Sequence, residues 1–132
     1  MNATPVPTTV ARCPWYRVQP AMRTASGHVV VSVALHADGS GRAWGYRDGT
    51  GLLSLAPLPV RAAPDLDHPG TVALLLDEAA RRWRCPAMHL RPGRDQGWTV
   101  EAPGVRADRL RSVWGPTRAA AVVSLYLIPP PN

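Results

Sequence analysis

Hydrophobic residues recur at helical spacing most clearly in Thr71–Arg84, TVALLLDEAARRWR. Val72, Leu75, Leu76, Ala79 and Trp83 fall at i, i+3, i+4, i+7 and i+11, and at about 100° per residue they form one apolar face. Asp77 and Glu78 stand four residues before Arg81 and Arg82, the favourable order for ion pairs along a helix. Pro69-Gly70 leads in, Asp67 or Thr71 is placed to cap the start, and Pro86 discourages helix at Cys85. Leu74 points off the stripe. It is either a lone exposed leucine or a contact to another element or a partner.

Elsewhere the period is two. His28–Ala37 (HVVVSVALHA) is rich in β-branched residues and reads as a strand. Asp38-Gly39 and Asp48-Gly49 punctuate the strand-like runs that follow, Arg42–Arg47 and Gly51–Ala56. Asp-Gly between such runs is a hairpin signal, so residues 28–56 predict a three-stranded antiparallel meander. Pro57, Pro59 and Pro64 mark 57–70 as a loop into the helix. Beyond Pro86, Ala87–Arg91 and Trp98–Ala102 predict a strand pair around a turn-rich loop at 92–97. Arg106–Trp114 predicts a second helix with Ala107, Leu110, Val113 and Trp114 inward, stopped by Gly115-Pro116. Ala119–Ile128 (AAAVVSLYLI) is apolar on both faces and predicts a buried central strand. The order βββ-α-ββ-α-β defines an α+β domain, two helices on a mainly antiparallel sheet. Residues 1–26, with four prolines, read as an extended arm pinned by Trp15 and Tyr16, and 27–132 as a single domain.

Composition adjusts this picture. The 132 residues fit one domain of ordinary size, and 45% hydrophobic content supports a core. Pro 15 and Gly 11 make up about a fifth of the chain, which predicts short elements and many turns. The chain has no Phe, and all 15 basic residues are Arg. No apolar run reaches the roughly 20 residues of a membrane span, and the first residues lack a secretory apolar region. Cys13 and Cys85 are the only cysteines. A soluble cytoplasmic protein with free thiols is expected.

Charge is uneven. Residues 1–80 carry six Arg and six acids, so the whole net charge of +6 lies in 81–118, with nine Arg against three acids. A concentrated basic region attracts polyanions. The element order around Thr71–Arg84 resembles that of the oligonucleotide-binding barrel, in which a helix lies between the third and fourth strands. In that arrangement Arg81, Arg84, Arg91, Arg94, Arg109 and Arg111 contact phosphates, and Trp44, Tyr46 and Trp98 stack bases. The ordinary alternative is that these three aromatics form the core of a chain without phenylalanine.

The first elements also resemble the start of a ribonuclease H-like fold, with Asp38, Glu78 and Asp95 in loosely comparable places for two metals. Asp38 lies in a turn, however, and Glu78 faces Arg81 and Arg82. Cys85 and His89 offer two zinc donors without a second pair. Asp38-Gly39-Ser40-Gly41 lacks the lysine and following helix of a phosphate loop. No catalytic set, metal site or cofactor is expected. The reading is a small basic, non-enzymatic module contacting nucleic acid through its arginine-rich C-terminal half. The alternative is an interaction or assembly subunit of a larger complex, docking through the proline-rich arm and Leu74.

Overall fold

A computed structural model describes residues 7–104 and 113–129. Among them the elements run α1 (Pro7–Ala11), β1 (His28–Leu35), β2 (Gly41–Arg47), β3 (Ala56–Pro59), α2 (Pro69–Trp83), β4 (His89–Pro92), β5 (Trp98–Glu101), β6 (Val113–Gly115) and α3 (Arg118–Tyr126). The class is α+β, as the sequence predicts. The strands form two antiparallel three-stranded sheets, ordered β1-β2-β3 and β4-β5-β6. The chain divides at Thr71/Val72 into two compact units, each holding one sheet.

In the N-terminal unit the predicted meander is present, with its third strand shifted. Ala56–Pro59 pairs with β2, while Leu52, Leu53 and Leu55 are exposed in the connection. Pro57 and Pro59 are tolerated because β3 is an edge strand that needs amide donors on one side only. Val30, Ala43 and Leu58 are buried, as are Val10, Tyr16, Val18 and Met22. The described part of the stretch read as an arm therefore supplies much of this core. Two guanidinium groups tie it down. Arg17 donates to the Gly39 carbonyl at 2.8 Å, and Arg61 to the carbonyls of Ala11 at 3.2 Å and Cys13 at 2.6 Å. The Tyr16 hydroxyl donates to Ala62 O at 2.6 Å, and burial pushes its phenol pKa up.

α2 keeps the predicted face, with Val72, Leu75, Leu76, Ala79 and Trp83 buried and Leu74 half-buried. Its cap is neither Asp67 nor Thr71. His68 Nδ1 accepts the Thr71 amide at 3.2 Å, and Pro69 takes the first helical position, where no amide donor is needed. At the other end Cys85 N donates to Ala80 O at 3.0 Å and Arg84 N to Arg81 O at 3.3 Å. This is a Schellman closure, and Arg84 occupies the left-handed position (φ 56°) that glycine usually fills.

The C-terminal unit corrects two expectations. Val113–Gly115 is a strand rather than a helix end; the rest of the predicted helix, 106–112, lies outside the described residues. Val113 and Trp114 suit a sheet and pair with Val100 and Thr99. The expected central strand at 119–128 is the helix α3. Thr117 caps it, its hydroxyl accepting Ala120 N at 3.0 Å, and the alanines at 119–121 favour helix over the two valines that follow. Burial on both faces erased the periodicity that separates strand from helix. Gly115 makes the packing possible, since a Cβ there would run into the backbone of Ala120 and Ala121. Tyr126 reaches back to donate to Leu75 O at 2.8 Å.

Candidate nucleic-acid interface

The register of the second sheet decides which side chains share a surface. Arg91 pairs with Thr99 and Thr99 with Trp114, so these three form one row across the sheet. Trp98, Val100 and Val113 lie on the other face, where Val100 and Val113 are buried. Arg91 and Trp98 therefore point to opposite sides of the sheet, although the sequence reading placed them in one site.

Each face has its own tryptophan near the β4–β5 hairpin end. The Trp114 indole lies across that turn and donates from Nε1 to Arg94 O at 2.9 Å. Only glycine fits beneath it at position 97, where a Cβ would sit 2.5 Å from the ring. Arg94 is carried out on the turn and is exposed. Trp98, half-buried at the sheet's rim, has the Arg118 guanidinium 4.3 Å from its ring centroid, a cation–π pair. The candidate residues thus fall into two groups, Arg91, Arg94 and Trp114 on one face and Trp98 with Arg118 on the other. The sequence reading missed Trp114 and Arg118. The signal was Gly93 and Gly97 bracketing a short turn, the mark of something bulky packed above.

The remaining arginines divide by compensation. Glu78 binds both Arg81 and Arg82, the latter at 3.2 Å. Arg91 reaches Glu101 at 3.3 Å. Arg84, Arg94 and Arg118 have no carboxylate partner among the described residues. Arg109 and Arg111 lie outside the described residues. Trp44 and Tyr46 belong to the N-terminal unit. They share the face of β2 opposite buried Ala43 and are half-buried. The core reading for them does not hold: Val30, Ala43 and Leu58 fill the interior instead.

Among the described residues no other constellation gathers. Asp38 accepts Ser40 N at 2.9 Å and Ser40 Oγ at 2.6 Å, and these bonds hold its carboxyl below the usual range. Its Asp-Gly-Ser-Gly segment is the β1–β2 turn. Burial pushes the Cys85 thiol up, and the thiol donates to Ala87 O at 3.5 Å. That disfavours the thiolate needed for nucleophilic attack or zinc. Among the described residues no three His, Cys, Asp or Glu side chains are grouped to hold a metal, and no helix is long and apolar enough to cross a membrane. Comparison with protein-family models, with curated proteins and with solved structures finds no match.

Proposed function

We propose that this protein is a non-enzymatic module that binds single-stranded nucleic acid through the hairpin end of its C-terminal sheet. The observation that carries the reading is the half-buried Trp114 laid across the hairpin turn with exposed Arg94 beside it and Arg91 in the same row, while Trp98 pairs with Arg118 on the other face of the sheet. Arg94 and Arg118 meet no carboxylate among the described residues. Trp114 offers an indole for stacking, which is sequence-tolerant and requires an unpaired base. Arg94 and Arg118 offer guanidinium groups to phosphates, one on each side of the sheet. Arg91 is shared with Glu101 and contributes less.

Fluorescence anisotropy with a labelled oligonucleotide at low salt tests the reading. Single strands bind more tightly than the matching duplex, and Trp114→Ala removes that preference. Failure of both forms to bind overturns the proposal.

A second reading, an assembly subunit, is favoured by one observation. Leu52 and Leu53, 76% and 77% exposed, sit beside Tyr46 around a shallow cleft of about 380 Å³. Apolar surface of this kind is characteristic of protein contacts. Stable co-purification of a stoichiometric partner that is lost in Leu53→Asp supports it.

A further inference from the structure

The outer face of the N-terminal sheet belongs to neither group of candidate residues above. Alternation puts Arg42, Trp44 and Tyr46 on one side of β2, opposite buried Ala43 and Gly45. The register completes that face. Trp44 pairs with Ser32 on β1 and Pro57 on β3, and Arg42 with Ala34 and Pro59. The register shift in β1 falls between Val30 and Ser32, before these rows begin. Both rows are exposed apart from Trp44, which like Tyr46 is half-buried. Ser32 and Ala34 are small, so the Trp44 ring stands above its β1 neighbours and walls a groove floored by short side chains. An open cleft of about 370 Å³ lies at that end of the face, lined by Trp44, Arg42, Ala34 and His36 among others. Arg42 meets no carboxylate among the described residues.

We infer that this face docks a proline-rich, acidic segment of a partner protein, with pyrrolidine rings against Trp44 and Tyr46 and a carboxylate on Arg42. The inference does not rest on the nucleic-acid reading, because the face belongs to the other unit. Two features select the occupant. The first is charge. Among its seven side chains the face carries one cation, at one end, and no anion. A nucleic acid brings a phosphate with every nucleotide. Most of those would lie over indole, phenol and proline with no counter-charge. A segment with one acidic end and an apolar body matches the face instead. The second is entropy. A shallow groove buries too little apolar area to order a flexible chain. A proline-rich segment is already extended as a polyproline helix, loses little freedom on docking, and suits an aromatic-lined groove. The small area makes the contact weak and transient.

Fluorescence anisotropy of the full chain with a labelled synthetic peptide, prolines and leucines followed by glutamates, tests this at low salt. The peptide binds with a Kd of about 100 µM. Trp44→Ala weakens binding by at least about tenfold and Arg42→Ala by about fivefold. Arg12→Ala removes an exposed charge elsewhere in the same unit and leaves the affinity unchanged. Replacing the glutamates of the peptide by lysines, or its prolines by alanines, weakens binding to the wild type. Equal affinity for either altered peptide overturns the inference, and so does unchanged affinity in Trp44→Ala or Arg42→Ala. Displacement of the peptide from the wild type by a single-stranded oligonucleotide gives the face to nucleic acid and overturns it as well. If Trp44→Ala does not fold, amide chemical shifts of the wild type decide. Shifts in β2 that grow with added peptide support the docking, and shifts confined to residues outside the N-terminal sheet contradict it.

Discussion

The two units use arginine in opposite ways. In the N-terminal unit Arg17 and Arg61 spend their donors on backbone carbonyls of the loops, and Arg23 bridges Asp48 at 2.9 Å and Asp65 at 3.3 Å. These guanidinium groups replace regular secondary structure in a proline-rich segment. In the C-terminal unit the arginines stand on helix and hairpin surfaces, and Arg94 and Arg118 keep charge that no described carboxylate offsets. The same side chain closes one fold and equips the other for a ligand. Formal charge along the sequence does not distinguish these uses; only the acceptor each guanidinium meets does.

The largest expected effect breaks the fold that carries the interface. Gly115→Ala drives a methyl into the first turn of α3 and lowers stability by about 3 kcal/mol, measured by urea denaturation. Next comes the contrast itself. Arg61→Ala removes the bonds to the Ala11 and Cys13 carbonyls, of which Cys13 O keeps the Tyr16 amide, and costs about 1–3 kcal/mol, whereas Arg118→Ala stays within about 0.5 kcal/mol by the same measurement. Similar losses in the two variants would erase the distinction. Tyr126→Phe removes a buried bond to Leu75 and costs about 1–2 kcal/mol. Arg84→Gly relieves a left-handed residue at the end of α2 and raises stability by about 1 kcal/mol. The smallest effect is chemical. With its thiol pKa raised, Cys85 is less ionised at pH 8 than a free cysteine. It therefore alkylates more slowly than one, and its rate keeps climbing as pH rises beyond the free-thiol range.

What could be read from the sequence follows from which signals are local. The α2 stripe, the β1–β2 hairpin and the β4–β5 pair declare themselves through period and turn residues, and all three are present. α3 was misread because a helix buried all round has no stripe, and the cap at Thr117 outweighs the strand preference of Val122 and Val123. β6 was misread because three residues carry no period of their own; its pairing with β5 decides it. Within the candidate site, the segment around Arg91, Arg94 and Trp98 was legible as a basic and aromatic stretch. That Arg91 and Trp98 lie on opposite faces required the register. Trp114 and Arg118 joined the site only through contacts distant in sequence. Trp44 and Tyr46 were legible as a face of β2, but their unit was not.

The account is tested most directly by the salt dependence of oligonucleotide binding in two double variants, Arg94→Ala with Arg118→Ala and Arg42→Ala with Arg47→Ala. Each phosphate contact to a single strand contributes about 0.7 to the slope of log affinity against log salt. The predicted result is that the first pair flattens the slope by about 1.4 and weakens binding, while the second pair changes neither. An unchanged slope in the first pair, or an equal loss in both, contradicts the assignment of the interface to the C-terminal unit.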